Sequence, residues 1–577
     1  MNFIKEHYKN YLIIFVISLF VCITVFLPGF FHAHDAEVQI GRVIGVTQSI
    51  KDGQMPPEVV PNYTNDLGYA WNVFYGPLPA YVGSALGYIL SNDLMGIKIL
   101  TFLTVLLSGI FMYNFVYDIS KSKKISLISS IFYLVAPYRL TDIYVRFALG
   151  EFAAFVFLPL IFHGLYNIIK EDGRKYYLLV IGTVCLILTH NISVIMAGVL
   201  GAVYVLANFK ELKNKRVIKD LIISVIFIVL ISLFFTLPLM EVKSGADYEV
   251  FRPGKMSTIK DVQGHGIIPH KLVTGIFERT FVIIKGEKLS DGVVYDVGLF
   301  LLIPLCLTIL CYKKVSEPHK KNYKFLLISG IVSLWMTTIV FPWIIFPEKL
   351  SFIQFPWRIL LISTFTLSIL SAVNIVILVK DLNKKKIFIG TLIILIYVSS
   401  LMVPRTYNKD YSVEKFYETD KLGEWYSPGC AYYEYLPTKA ANDIEYLKNR
   451  EQKVIIKKGQ CEIYNQIKIM SKMEFNIKNC EEGTEIELPY IFYLGYTVEF
   501  DSLDYIVNIP IKESENGLIS VVLPQISEGT IRVKYTGTKI MKITSIISLM
   551  SFIVFIGYVV INKKLQIKNV VDNKNDK

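Results

Sequence analysis

Long apolar runs, separated by short polar connections, dominate the pattern of hydrophobic and polar positions along the chain. The first run extends from Tyr11 to Leu27, and another extends from Leu221 to Leu239. A helix that crosses the hydrocarbon core of a bilayer needs about 20 mostly apolar residues. The pattern therefore predicts an all-α polytopic membrane bundle of about twelve transmembrane helices. The predicted spans are 11–27, 94–117, 125–138, 151–169, 176–189, 190–208, 218–240, 294–312, 324–346, 357–380, 386–404 and 538–561.

Three of these spans need comment. Lys5 and Lys9 precede the first run and no small-x-small cleavage site follows Pro28, so we expect this run to remain as an anchor. The spans 125–138 and 176–189 are short for a bilayer. We expect them to tilt or to end at a polar cavity, where irregular backbone is tolerated.

Composition narrows the class of protein. Of the 577 residues, 53% are hydrophobic and only 19% are charged, with a mean hydropathy of +0.47, whereas soluble domains carry about 25% charged residues. These values exclude a cytosolic enzyme, a fibrous protein and a disordered chain. The net charge of +12 comes from short basic clusters between apolar runs, which is a topology signal, and we expect no nucleic-acid partner.

The basic clusters predict how the chain is oriented. They fall in every second connection, such as Lys210 through Lys219 and Lys380 through Lys386. Because positive charge favours the cytoplasmic side, both termini are expected in the cytoplasm of a multi-pass plasma-membrane protein. The outer loops are then 30–76, 139–150, 241–293 and 405–537.

Residues 405–537 form the one sizeable polar region. Alternating segments such as Lys453–Lys457, Gln466–Met470 and Ile531–Tyr535 are typical of strands. We expect a bundle over 1–404, a small extracytoplasmic β-rich domain over 405–537, and a last helix with a cytoplasmic tail over 538–577. The polar region holds three cysteines, so at most one disulfide forms among them; they are Cys430, Cys461 and Cys480.

The first outer loop begins with a candidate catalytic carboxylate. Residues 36–50 can form a helix whose apolar side lies on the outer surface, while Asp35, Gln39 and Arg42 share its polar side. Asp35 would then stand at the mouth of the bundle, where it could take a proton from a hydroxyl. An N-cap role is an equally good interpretation of Asp35. Glu37 faces away and is a weaker candidate.

Histidines flank the same aspartate. His32, His34 and Asp35 form a short H-x-H-D run that could hold a metal ion, but paired interfacial histidines are more often not ligands. We therefore assign no metal site.

Further charges lie near the predicted outer face. Arginine there runs against the positive-inside bias, so each one needs a reason. A guanidinium can hold a departing phosphate in a bidentate manner, or it can pair with a neighbouring carboxylate and only tie down the loop. The candidate phosphate-binding residues are Arg139, Arg146, Arg358 and His190, and the neighbouring acids are Asp142 and Glu151. His190 could equally be a hydrogen-bonded histidine at a helix turn, and Arg358 could merely extend to the interface.

These motifs carry a resemblance to a known superfamily. An Asp just after the first span, a basic residue one or two turns later, and an aromatic-Gly-Pro-Leu-Pro stretch resemble the C-type (GT-C) glycosyltransferases. The fragments YRLTDIYVRFALGEF (138–152), LTHN (188–191), EYLP (434–437) and IQFPWR (353–358) resemble bacterial membrane proteins labelled 6-pyruvoyl-tetrahydropterin-synthase-related. The soluble pterin enzyme has a three-histidine zinc site, and the sequence holds no such arrangement.

The resemblance implies a reaction. It makes Asp35 the catalytic base, with a second acidic residue at Asp142 or Glu151, and it implies inversion at the sugar. The donor would be a polyprenyl-phosphate sugar, the acceptor an envelope glycan or polymer positioned by the β-rich domain. Only some members of the superfamily need a divalent cation, so the metal requirement stays open.

Two other classes compete with the glycosyltransferase. A transporter or flippase for a lipid-linked glycan commonly shows repeats and ionisable groups near mid-span. A non-enzymatic envelope scaffold would not need Asp35 or the outer arginines. The spans are almost free of charge and no repeat is visible, which favours surface chemistry.

Overall fold

Helices build most of the molecule and strands build one region near the C-terminus. The structure is a computed structural model. It describes residues 2–252, 254, 257–288, 292–379, 381–404, 406–412, 430, 433–502 and 506–575.

The helices are connected by short loops, except around residues 28–77 and 246–298. In chain order they are α1 (Asn2–Val21), α2 (Ala36–Lys51), α3 (Tyr63–Asp66), α4 (Trp71–Phe74), α5 (Leu78–Leu90), α6 (Asp93–Ser120), α7 (Lys123–Val135), α8 (Pro137–Thr141), α9 (Leu149–Lys170), α10 (Tyr176–Ile187), α11 (Asn191–Ala207), α12 (Lys215–Gly245), α13 (Ile259–Gly264), α14 (Lys271–Ile284), α15 (Leu299–Cys306), α16 (Thr308–Tyr312), α17 (Glu317–Met336), α18 (Leu360–Leu378), α19 (Lys384–Val398), α20 (Thr438–Asn442), α21 (Ile444–Asn449) and α22 (Lys539–Asn575).

The expected count of twelve membrane helices is not confirmed. Within the described residues, six helical segments are long and apolar enough to cross a membrane; they are Asp93–Ser120, Leu149–Lys170, Lys215–Gly245, Pro356–Leu378, Lys384–Met402 and Lys539–Lys563. The short predicted spans become α7 and α10, of 13 and 12 residues. At 1.5 Å per residue they reach only about 20 Å, less than the roughly 30 Å of hydrocarbon. The run 294–312 is divided between α15 and α16 by Leu307, which is not helical.

The helices differ sharply in how far the rest of the protein encloses them. In α9, 89% of the most apolar 18-residue stretch is buried, and in Pro356–Leu378, which includes α18, the value is 83%. The apolar stretches of α12, α19 and α22 are mostly exposed. The two enclosed helices, together with α6 and α7, therefore form the centre of the bundle. The exposed apolar helices are suited to face lipid.

The strands confirm a β-sheet region near the C-terminus. They form a four-stranded sheet in the order β3-β6-β10-β9 and a five-stranded sheet in the order β4-β5-β11-β7-β8, all antiparallel. Cys461 and Cys480 form a disulfide beside the β4–β5 pair. The strands are β3 (Ile455–Lys458), β4 (Glu462–Ile469), β5 (Lys472–Cys480), β6 (Glu485–Ile491), β7 (Tyr496–Asp501), β8 (Ile506–Ile509), β9 (Ile511–Glu513), β10 (Leu518–Val522) and β11 (Ile526–Tyr535).

The sheets rest on the long loop after α1. Lys472 donates to the carbonyl of Asp52 at 2.8 Å, and the Ile491 amide donates to the carbonyl of Leu67 at 2.9 Å. A small pair, β1 (Phe30–Phe31) with β2 (Tyr407–Asn408), joins the end of α1 to the segment after α19. We call this end of the bundle the loop end.

Helix α2 forms where the apolar pattern predicts it, but it does not lie open on a surface. Val43 packs against Gly83 of α5, where an added Cβ would lie 2.9 Å from the valine methyl. The opposite side is also covered, because Gln39 and Arg42 are buried and Arg42 pairs with Glu434. The expectation that this helix lies on the outer surface with its apolar side down was therefore wrong, because most of α2 is buried. A partner from the far end of the chain covers it, and helical periodicity does not reveal that partner.

Candidate functional site

A buried ionic cluster lies between α8 and the start of α9. Arg146 contacts two carboxylates, with its Nη1 at 2.6 Å from Oδ1 of Asp142 and at 2.8 Å from Oε2 of Glu151. The same Glu151 oxygen lies 3.6 Å from Nε of Arg358, and Tyr138 donates its hydroxyl to the other oxygen. We call Asp142, Arg146, Glu151 and Arg358 the arginine–carboxylate cluster.

Local backbone geometry brings these groups together. Residues Asp142–Arg146 form a single π-helical turn, a feature frequently found at functional sites. Phe147 then takes a left-handed conformation with φ of +49°, and the Ala148 amide closes the turn on the Asp142 carbonyl. The chain thereby reverses into α9 and places Glu151 in its first turn.

The cluster retains unused hydrogen-bonding capacity. Asp142 and Glu151 are almost completely buried, and burial together with the nearby charge of Glu151 raises the pKa of Asp142. Within the described residues, Oδ2 of Asp142 and Nε of Arg358 have no hydrogen-bond partner. Buried polar atoms are normally paired, so unpaired ones call for a physical explanation such as a bound ligand.

Asp35 lies directly against this cluster. Its amide donates to the carbonyl of Arg146 at 2.8 Å, and the His34 amide donates to the carbonyl of Val145 at 3.1 Å. Asp35 occupies the N-cap position of α2, but its side chain does not form the cap hydrogen bond. The half-buried carboxylate therefore lies near Arg146 and is not used to cap the helix.

Two motifs noted in the sequence form the wall next to Glu151. The Leu78 amide donates to the carbonyl of Leu188 at 2.8 Å, which joins FYGPLP to LTHN. A Cβ on Gly150 would lie 2.3 Å from the Tyr75 hydroxyl, so only glycine admits that ring at the start of α9. His190 caps α11 through Ser193, with Nδ1 at 2.7 Å from the hydroxyl, and its ring lies 6.1 Å from that of Tyr75.

Glu434 is a site residue that the sequence reasoning did not select. It is mostly buried, and its Oε1 lies 3.5 Å from Nη2 of Arg42. The Arg42 guanidinium also lies over the rings of Tyr75 at 4.5 Å and Trp71 at 5.0 Å. Burial raises the pKa of Glu434, and the charges of Arg42 and Arg358 oppose that shift. The available signal was an acid inside the aromatic run AYYEYLP (431–437).

Arg139 lies apart from the other candidates. Its guanidinium donates to the Ser108 hydroxyl at 2.6 Å and to the Thr104 carbonyl at 3.0 Å, and it packs on the ring of Phe155. Burial lowers its pKa to about 10. These contacts tie α8 to α6, and they leave Arg146 and Arg358 as the two guanidiniums beside Glu151.

The histidines next to Asp35 are exposed. In the part of the chain that the structure describes, no three His, Cys, Asp or Glu residues are grouped so that they could hold a metal ion. The sequence leaves the requirement for a divalent cation open, and no residue is assigned as a metal ligand.

A cavity of about 480 Å³ lies beside the cluster. Trp357, which precedes Arg358, and Tyr295 form its inner wall, with their rings 4.9 Å apart. Helix α14 and the segment around His265 form the rest of the lining.

Comparison with known proteins agrees with the membrane character of the chain. The family model described as "6-pyruvoyl-tetrahydropterin synthase related domain; membrane protein" matches residues 73–263. A protein of Lactococcus lactis subsp. cremoris (strain MG1363), described as "Uncharacterized protein", is 29% identical over 256 residues. That alignment covers 42% of this chain and 41% of the relative. The similarity to the pterin-synthase-related membrane proteins is thus confirmed over Tyr75, the π-helical turn, Glu151 and His190, while Asp35, Arg358 and Glu434 lie outside the matched family segment.

Proposed function

We propose that the protein is an integral-membrane glycosyltransferase of the GT-C type. It transfers a sugar from a polyprenyl-phosphate donor to an envelope glycan or polymer on the outer side of the plasma membrane. The observation that carries the proposal is the backbone bond between Asp35 and Arg146, because it holds an uncapped carboxylate close to the arginine–carboxylate cluster. A base and an anion-binding group are the two elements that such a transfer needs.

Asp35 is the general base in this proposal. The acceptor oxygen forms the new glycosidic bond as the bond between the anomeric carbon and the phosphate oxygen breaks. The acceptor proton passes to Asp35, and the lipid phosphate leaves with the electron pair, so the sugar is inverted. A positioned base contributes about 10²–10⁴-fold to such a step.

Arg358 and Arg146 hold the departing phosphate in this proposal. Nε of Arg358 has no hydrogen-bond partner among the described residues, and its partner Glu151 is shared with Arg146. Guanidiniums bind phosphate through paired, charge-assisted hydrogen bonds. His190 lies on the same wall and contributes a ring nitrogen toward the donor.

The loop end faces outward in this proposal, with twelve spans and both termini in the cytoplasm. Lysine-rich connections are expected at the opposite end, as the positive-inside bias requires. The Cys461–Cys480 disulfide in the β-sheet region supports the same orientation, because disulfides persist outside the reducing cytosol. The sheets would position the acceptor above Asp35.

The test uses the full chain in nanodiscs. A panel of radiolabelled polyprenyl-phosphate sugars is supplied with crude envelope fraction as acceptor, with and without a chelator to decide the metal requirement. Asp35→Asn is expected to reduce the rate of sugar transfer by about 10²-fold or more. Glu37→Gln, two residues along the same helix, is the matched control and is expected to retain transfer.

Two outcomes would contradict the proposal. Equal transfer by the native chain and Asp35→Asn would remove Asp35 from the mechanism and direct attention to Glu37, Asp142 or Glu151. No transfer from any donor, together with flipping of a lipid-linked glycan in proteoliposomes, would identify a flippase instead.

A further inference from the structure

Helix α14 (Lys271–Ile284) carries an apolar stripe that the described structure leaves largely exposed. Val273, Phe277, Phe281 and Ile284 are spaced at i, i+4, i+8 and i+11, so they share one side of the helix. They are 37%, 51%, 59% and 78% exposed. With 14 residues, the helix is too short to cross a bilayer.

The other side of α14 is fixed to the protein. Arg279 donates to the carbonyls of Ser400 at 2.9 Å and Val403 at 2.7 Å, and the Thr280 hydroxyl donates to that of Ser400. Within the stripe itself, the Phe277 ring touches Tyr397 of α19, with the ring centres 5.6 Å apart, and stays half exposed. The helix is thereby held across the loop end of α19, one of the apolar helices whose surface is mostly exposed.

The exposed apolar surface continues beyond α14. The segment after α17 presents Val340, Ile344 and Ile345, which are 54–74% exposed, and Ile268 beside the cavity is 51% exposed. This segment is joined to the cavity wall by the bridge between Ile267 and Thr338. Two separate elements at the loop end therefore present bulky apolar side chains at the level where α19 ends.

Charge at the ends of the stripe indicates what covers it. Lys271 begins α14, and Lys285 follows its last residue with its ammonium 4.5 Å from the centre of the Phe281 ring. Apolar side chains flanked by lysines are typical of helices that lie in the headgroup layer of a membrane. Glu278 and Lys271 form an ion pair on the flank that lines the cavity.

We propose that α14 is a membrane-surface helix whose Val273, Phe277, Phe281 and Ile284 insert into the lipid layer around the end of α19. Its inserted stripe faces lipid, and its polar flank lines the 480 Å³ cavity. The cavity is thus separated from the bilayer by a single helix. This inference does not depend on sugar transfer and holds for any activity at the loop end.

The test places a small fluorescent amino acid at position 277, 281 or 278 of the full chain in nanodiscs of phosphatidylcholine and phosphatidylglycerol. Chain-brominated lipids are expected to quench the probe at 277 and 281 about threefold more than at 278, and aqueous iodide is expected to show the reverse order. The replaced Glu278 is the matched control, since it lies on the polar flank of the same helix. Only variants that elute as a single species and keep the native Tm are compared.

The opposite result would overturn the proposal. If iodide reaches the probes at 277 and 281 as readily as the probe at 278, the stripe faces water in a pure lipid environment and its covering partner is not the membrane. Weak quenching by both agents would show that α14 packs into the protein, which also contradicts the proposal.

Discussion

The enclosed helix α9 carries an ionic cluster at each end, and the two clusters differ in how completely they are paired. At the loop end Glu151 pairs with Arg146 and Arg358. Among the described residues, Oδ2 of Asp142 and Nε of Arg358 have no hydrogen-bond partner. Near the opposite end His163 lies 2.6 Å from Asp118, which also pairs with Lys175. We call these three residues the Asp118 cluster.

The surroundings of the two clusters explain the difference. Asp118 and Lys175 are 20% and 38% exposed, so water shares their solvation, and their contacts tie α6, α9 and the start of α10 together. Glu151 is 1% exposed and depends on protein groups alone. Exposed pairs contribute about 0–1 kcal/mol, whereas breaking a buried pair costs about 3–5 kcal/mol. The Asp118 cluster is thus a structural clamp, and the arginine–carboxylate cluster is suited to exchange partners with an anionic ligand.

The largest effect on stability is expected from Glu151→Gln. The change leaves Arg146 and Arg358 buried with one carboxylate fewer, so we expect a loss of about 3–5 kcal/mol in unfolding free energy. Thermal unfolding in detergent measures it as a fall in Tm. Glu211→Gln, which breaks the more exposed pair with Lys170, is the control and is expected to shift Tm far less. Equal shifts would show that the loop-end cluster is not energetically distinct.

The substitution Arg358→Lys is expected to weaken binding of the donor phosphate without weakening the fold. The lysine keeps the positive charge but loses the planar fork that suits phosphate, so we expect sugar transfer to fall by about tenfold with little change in Tm. Arg139→Lys is the contrasting variant, because Arg139 bonds Ser108 and Thr104 and not Glu151. It is expected to lower Tm while transfer per folded molecule stays constant. A purely structural Arg358 would reverse this contrast.

A smaller effect is expected from Asp118→Asn. The amide keeps a hydrogen bond to His163 but loses the charge that attracts Lys175, so the loss should be about 1–2 kcal/mol. Sugar transfer per folded molecule should not change, since the Asp118 cluster contacts the half of α9 that is remote from Glu151 and Asp35. A large loss of transfer with the fold intact would contradict the assignment of this cluster as a clamp.

The smallest effect concerns Glu58, a partly buried carboxyl in the loop after α2 whose neighbours include Tyr535 and Glu241. Burial raises the pKa of Glu58 to about 7 from its ordinary value of 4.5. The folded state therefore holds this proton between pH 4.5 and 7 while the unfolded state releases it, so stability falls as pH rises through that window. We expect Glu58→Gln to reduce the drop in Tm between pH 5 and pH 8. An unchanged drop would exclude Glu58 as its source.

Local patterns predicted the elements better than their partners. The periodicity that begins at Ala36 placed α2 within one residue at each end, and alternation over Ile531–Tyr535 located the last part of β11. The spans 125–138 and 176–189, expected to be short, are the helices α7 and α10 of 13 and 12 residues. Their number as membrane spans is not confirmed, because an apolar run does not show where surrounding helices replace lipid.

The candidate site shows the same contrast between local structure, which the sequence predicts, and contacts between distant segments, which it does not. Asp142, Arg146 and Glu151 come together because a π-helical turn leads directly into α9. Asp35 joins them through a backbone bond to Arg146, a contact between segments distant in sequence. Glu434 could not be placed from its own segment, since its contact with Arg42 joins opposite ends of the chain. Arg139 and Arg146 lie in the same predicted outer loop, and the sequence does not distinguish their roles. Only the structure shows that Arg139 bonds to Ser108 and Thr104 of α6.

The short β1–β2 pair has a consequence for biogenesis. It is reinforced by the Tyr407 hydroxyl, which donates to the carbonyl of Pro28 across 379 positions of sequence. At synthesis rates of about 5–20 residues per second, roughly 20–75 s pass between the emergence of these two partners from the ribosome. During that interval Asp142, Arg146 and Glu151 can already pair, whereas Arg358 emerges only shortly before Tyr407. The segment leading to Asp35 still lacks its final strand. A nascent chain thus acquires Arg146 and its carboxylate partners long before Asp35 is locked in place, and a chain halted before residue 407 never completes the site.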